Sequence, residues 1–120
     1  MTRLTRPIAM ALCAGLSCLI SDPAATEPRS YTGREARALK CAAYFAYTSQ
    51  VLESQGKLSA QKAIVANKIA LNILEHHVGG TFKQKMGAYN VVLQRLPKSE
   101  AALIDESSRE MDKCTKQFLR

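Results

Sequence analysis

The sequence has no apolar run long enough to cross a membrane. Its most apolar segment, residues 7–20, contains 14 uncharged residues, whereas a transmembrane helix needs about 20. We therefore expect no transmembrane span. Strand-like alternation, internal repeats and low-complexity segments are also missing, which leaves helices as the regular structure that the sequence favours.

Motifs of the common catalytic classes are missing as well. The sequence contains no G-x-S-x-G nucleophile elbow, no Walker phosphate-binding loop and no H-E-x-x-H zinc motif. Acidic residues are scarce between Arg34 and Lys98, where ten Lys/Arg accompany three Asp/Glu. Hydrolysis by paired carboxylates therefore has little support, and the sequence predicts that the protein is not an enzyme.

Ligand sets for metals and haem are incomplete. Structural zinc needs four ligands at short characteristic spacings. Cys41 and Cys114 are isolated, and the adjacent His76 and His77 point about 100° apart on a helix. Covalent haem attachment needs C-x-x-C-H, but CTKQF (114–118) lacks the second cysteine and the histidine. No metal and no cofactor is therefore predicted.

The chain begins with a segment that is typical of an export signal. Two arginines precede the apolar run at residues 7–20, and small and polar residues follow it up to residue 30. This three-part layout indicates a secretory signal peptide over residues 1–25, and hence a periplasmic or secreted protein. Cys18 lies in a segment that loosely resembles a lipobox, and its lipidation would anchor the protein instead.

Two cysteines remain after the predicted cleavage. Removal of residues 1–25 leaves about 95 residues, which suffice for one small domain with a marginal core. In an oxidising compartment, Cys41 and Cys114 most simply form one disulfide. The bridge would close a loop of 73 positions and stabilise the fold by about 4 kcal/mol in the chain-entropy model.

Capping and stop residues divide the rest of the chain into four helices. Residues 26–31 are predicted to form a flexible linker, and residues 32–120 a helical domain. Glu35 is expected to complete a capping box with Thr32. Ser59 and Thr81 are predicted to cap the second and third helices, and Gly and Pro residues to end the first three. The predicted helices cover residues 32–55, 60–78, 81–96 and 99–119.

The positions of the cysteines agree with one bundle topology. Short loops favour antiparallel neighbours, so we expect an all-α, up-down-up-down four-helix bundle. Cys41 lies near the start of the first helix and Cys114 near the end of the last, which meet at one end of such a bundle. The inward stripe of the first helix is predicted to be Cys41, Phe45, Thr48 and Leu52, with Tyr44 and Val51 beside it.

The second helix carries a broad apolar face, which predicts contact with more than one neighbour. Its members are Ile64, Val65, Ile69, Leu71, Ile73 and Leu74.

Two candidate sites lie around the turn after the second helix. Gly79 and Gly80 allow close backbone approach, and the next helix N-terminus could receive an anion together with its lysines. The simpler interpretation is an ordinary helix stop and turn. His76 and His77 are candidates for a pH-sensitive element, or are plain helix-end residues. The lysines of the anion site are Lys83 and Lys85.

The surplus of basic residues favours anionic partners, such as acidic proteins, phospholipid head groups and glycan polymers. Nucleic acid is not expected, because no stacking aromatics interleave the basic residues. We therefore expect an exported, non-enzymatic helical binding protein of the bacterial cell envelope. Its partner would be a protein or an anionic envelope component, and an inhibitor or immunity-type protein is one concrete form.

Two alternative functions remain open. The histidine pair and the marginal core suggest a periplasmic acid-stress chaperone that exposes apolar surface at low pH. A haem or other cofactor carrier would use Met86 or Met111 together with His76, although methionines on an apolar stripe usually fill a core.

Overall fold

The computed structural model describes residues 28–119, and this part of the chain is all-helical, without strands. The predicted leader and Cys18 lie outside the described residues. Four helices are present in residues 28–119, as predicted. None of the helices in this part of the chain is both long and apolar enough to cross a membrane.

Three consecutive pieces, α1, a π-helical turn and α2, form one continuous helix, which we call the first helix. Their bounds are Gly33–Ala43 for α1, Tyr44–Thr48 for the π-helical turn and Ser49–Ser54 for α2. The remaining helices are α3 (Ala60–His77), α4 (Phe82–Arg95) and α5 (Glu100–Phe118). The predicted boundaries agree with these to within two residues.

The predicted N-terminal caps of α3 and α4 are confirmed, and Ser99 caps α5 in the same way. The side chains of Ser59, Thr81 and Ser99 each accept a hydrogen bond from the backbone N–H three residues later. In α4 the Gln84 side chain also accepts from the Thr81 backbone N–H at 2.9 Å, which completes a capping box. These local bonds explain why the helix starts could be located from the sequence.

The capping box predicted at Thr32 is wrong. The Thr32 side chain makes no capping hydrogen bond. Glu35 turns instead to the loop after α3, where its Oε2 accepts from the Gly79 backbone N–H at 2.7 Å. A partner 44 positions away thus competes successfully with the local cap, because folding brings its donor close to the carboxylate.

The first helix is the centre of the packing. Ala38, Leu39 and Cys41–Tyr44 are all buried, so α1 is enclosed on most of its circumference. All the extensive close backbone contacts between helices involve the first helix, which packs against α3, α4 and α5. The consecutive pairs α3–α4 and α4–α5 approach each other much less. The small alanine side chains allow three helices to approach the first helix closely. The up-down-up-down order of the bundle stays a prediction.

The π-helical turn changes which residues of the first helix face the core. Cys41 and Thr48 are buried as predicted, but Phe45 and Leu52 are only partly buried. Tyr44, predicted to lie beside the stripe, is fully buried, and the wider turn that begins there shifts the residues that follow it around the helix. The Thr48 hydroxyl is buried without a hydrogen-bond partner in the described part of the chain.

The broad apolar face of α3 is only partly covered. Ile73 and Leu74 are buried, but all extensive close contacts of α3 are with the first helix. Its contacts with α4 and α5 are smaller and include a hydrogen bond from Lys85 to the Glu75 carbonyl and the packing of His77 against Phe118. The residues left exposed are Ile64 at 54%, Val65 at 55% and Leu71 at 59%.

The predicted disulfide is confirmed. Cys41 of α1 and Cys114 of α5 are bonded, with 5.6 Å between their Cα atoms. Next to the bridge, Arg34 donates to the Gln117 backbone carbonyl at 3.2 Å, and Arg37 donates to the Gln117 side-chain carbonyl at 2.7 Å. The start of the first helix and the end of α5 are thus joined covalently and by hydrogen bonds.

Candidate functional site

A groove of about 720 Å³ lies between α1 and α4. We call it the groove. The two helices form its long walls, and the N-terminal segment, residues 28–31, forms its third wall. Its size falls within the range of about 300–1,000 Å³ that is usual for ligand sites. The apolar residues that line it are Ala36 and Leu39 from α1, and Ala88, Val91 and Val92 from α4.

Small residues keep the groove open. A Cβ atom added at Gly87 would meet no atom within 4 Å, so the helix presents bare backbone to empty space there. Ala36 and Ala88, on the facing helices, add only a methyl group each. An apolar surface that residues 28–119 leave uncovered is a candidate for binding a partner.

Three cationic side chains line the groove: Arg29, Lys83 and Arg95. Arg29 pairs with Glu35 at 3.2 Å. Lys83 and Arg95 are exposed, and neither forms a salt bridge or side-chain hydrogen bond within residues 28–119. Their positions, 12 residues apart on α4, correspond to about 18 Å along the helix axis. The groove therefore offers an uncompensated positive charge towards each end.

Hydrogen bonds fasten the N-terminal segment to the turn after α3. The Tyr31 hydroxyl donates to the Gly79 carbonyl at 2.7 Å. The Arg29 guanidinium, which pairs with Glu35, also lies 4.9 Å from the centre of the Tyr31 ring. The sequence predicts a flexible linker over residues 26–31, but residues 28–31 make these contacts and form a wall of the groove.

The predicted anion site at the turn is not assembled as a unit. The Gly79 amide already donates to Glu35, so an internal carboxylate holds that position. A Cβ atom on Gly80, whose φ is +91°, would lie 2.7 Å from the Tyr31 hydroxyl. The two lysines diverge. Lys83 lines the groove, while Lys85 donates to the Glu75 carbonyl at 3.4 Å.

The two histidines have different surroundings. His77 is half-buried and packs edge-on against Phe118, with 5.1 Å between ring centroids. The Arg34 guanidinium lies 5.4 Å from the centre of the same Phe118 ring. His76 is exposed at the end of α3. A pH-sensitive role for the pair stays a prediction.

Metal and cofactor ligands are not gathered in one place in the described part of the chain. No group of three or more His, Cys, Asp or Glu residues there could hold a metal ion. Met86 and Met111 pack against the hydrophobic core, as core-filling methionines do. The cofactor-carrier and chaperone alternatives stay hypotheses.

Sequence reasoning missed the groove itself. Of its lining residues, only Lys83 belongs to a predicted site. Arg29 lies in the predicted linker, and Arg95 contributes to the prediction only through the overall positive charge. The available signal was Gly87–Ala88, two small residues inside a helical pattern. Comparisons with protein-family models, with curated proteins and with solved structures find no match.

Proposed function

We propose that the protein is an exported, non-enzymatic binding protein and that the groove is its binding site for an anionic partner. One observation carries the proposal: an open apolar groove with uncompensated cations, Lys83 and Arg95, towards its two ends. The apolar residues supply the surface to be buried, and the cations favour a partner of negative charge.

The composition of the groove favours binding over catalysis. Its lining contains no carboxylate, histidine or cysteine, the side chains that most often transfer protons or attack substrates. Ser30 and Tyr31 contribute hydroxyls, but no base accompanies them in the lining. A groove of this kind recognises a surface without changing it chemically.

Two features support a periplasmic or secreted location. The first is the signal-like composition of residues 1–25. The second is the Cys41–Cys114 disulfide, since disulfides persist mainly in oxidising compartments. An inhibitor or immunity-type protein that binds an acidic envelope protein is the form of this proposal that we favour.

The test uses the mature, oxidised protein as bait for an envelope extract at low salt. Gly87→Leu fills the groove, and the double variant Lys83→Glu/Arg95→Glu reverses its charges. Lys68→Glu is the single-charge control, because Lys68 is exposed on α3 and does not line the groove.

We expect the Lys68→Glu variant to retain the same partner as the parent protein, and the two groove variants to lose it. Retention should also decline as salt is raised, since exposed charges are screened. If both groove variants keep the partner at the parental level, the groove is not the binding site.

A further inference from the structure

We infer that the occupant of the groove is an amphipathic α-helix of an acidic partner protein, with acidic side chains about three turns apart. This inference rests on the proposed function and specifies its partner. Charge complementarity carries it, because the two uncompensated cations of the groove are separated along α4 rather than clustered.

The walls of the groove favour a helix over an extended peptide. Both long walls, α1 and α4, are helices whose backbone groups are bonded within the helix. Only the short third wall, residues 28–31, is not helical, so most of the polar backbone of an extended segment would lose water without replacement. A helix brings its backbone already hydrogen-bonded and offers one apolar face to a groove.

The positions of the cations define the charge pattern of that helix. Lys83 and Arg95 are 12 positions apart on α4, or about 18 Å along the axis. On a partner helix, positions i and i+11 share one face and lie about 16 Å apart. Acidic residues at those positions would each meet one cation, while aliphatic residues at i+4 and i+7 would lie over the middle of the groove, between Gly87 and Val91.

The same spacing argues against an amphiphile with a single head group. A fatty acid or alkyl sulfate carries its charge at one end, so its alkyl chain would extend towards the second cation and leave that charge without a counterion. A helix with acids at both ends neutralises both, which makes a second anionic group a requirement for full affinity.

The experiment is a selection from displayed helical peptides of about 16 residues, randomised at positions i, i+4, i+7 and i+11. The library is selected on the mature oxidised protein and depleted on the Gly87→Leu variant. Circular dichroism checks that this variant is folded. A second variant, Lys83→Glu, changes the charge of the groove at an exposed position without filling the groove. Fluorescence anisotropy then measures the affinity of the best peptide.

We expect Asp or Glu to be enriched at i and i+11, and aliphatic residues at i+4 and i+7. Lys83→Glu should weaken the best peptide by about tenfold, and changing the facing peptide acid to lysine should restore binding to that variant. Lys68→Glu should leave the affinity within about twofold.

Three outcomes overturn the inference. Groove-dependent peptides without acids at both ends refute the charge pattern. If no such peptide is selected but sodium dodecyl sulfate below its micelle concentration binds the parent and not Gly87→Leu, the groove takes a single-headed amphiphile. A third outcome is that no such peptide is selected, while the envelope extract still contains a partner that the groove variants fail to retain. The proposed function would then stand, and the inference of a helical occupant would be wrong.

Discussion

Replacing Gly87 with alanine should stabilise the protein, although glycine is often retained in helices for close packing. Gly87 lies inside α4, and it is not among the glycines with positive φ, which are Gly33, Gly56 and Gly80. A Cβ atom there meets nothing within 4 Å, so alanine costs no steric strain. Glycine in a helix interior is less favourable than alanine by about 0.5–1 kcal/mol, because it loses more backbone entropy on folding.

The expected gain in the free energy of unfolding is therefore about 1 kcal/mol, equivalent to a rise in Tm of about 4–8 °C for a domain of this size. Urea unfolding followed by circular dichroism at 222 nm measures it, with an unchanged m value as the sign that only stability has changed. The matched control is Gly80→Ala. That residue has a φ of +91°, so alanine should destabilise by about 1 kcal/mol or more.

One result would refute the reasoning about the groove. If Gly87→Ala lowers the free energy of unfolding while Gly80→Ala behaves as expected, a neighbouring group occupies the space beside Gly87 in solution. The groove would then be closed in the free protein, and the binding proposal would need a step that opens it.

Three further outcomes are expected. Cys41→Ser/Cys114→Ser should lower the free energy of unfolding by about 4 kcal/mol in urea titrations, whereas a loss below about 1 kcal/mol would mean that the bridge adds little. Burial and the 2.7 Å hydrogen bond to Glu106 raise the pKa of Tyr44 above its ordinary value of 10.0. Above that pH the unfolded state releases the phenolic proton first, so stability should fall as pH rises further; Tyr44→Phe should show a shallower fall, and equal slopes would contradict the assignment. Thr48→Val removes a buried hydroxyl that has no partner within residues 28–119 and should raise the free energy of unfolding in urea by about 1 kcal/mol; a loss of stability would show that a water molecule satisfies that hydroxyl.

The helix starts show which features can be predicted locally. Ser59, Thr81 and Ser99 cap their helices through a backbone N–H three residues away, so each cap is contained in a short stretch of sequence. Thr32 has the same signature, but Glu35 finds a donor in Gly79. The failure at Thr32 shows that a local pattern predicts a bond only when no distant partner competes for the same side chain.

The groove shows the opposite case. Its apolar lining comes from α1 and α4, and its third wall comes from a segment that composition alone assigns to a linker. No short window of sequence contains all three parts. Gly87 and Ala88 are visible in the sequence, but whether small residues face a neighbour, water or a gap depends on where another helix lies.

The sequence by itself determined the all-helical class, the helix boundaries and the disulfide. Helical periodicity, caps and stop residues act over a few positions, and the two cysteines outside the predicted leader allow only one pairing. Only the tertiary structure decided that the first helix lies at the centre, that Glu35 bonds to Gly79, and that Lys83 and Arg95 line one groove. These features arise from packing between residues distant in the chain, and the position of each helix depends on all of its neighbours together.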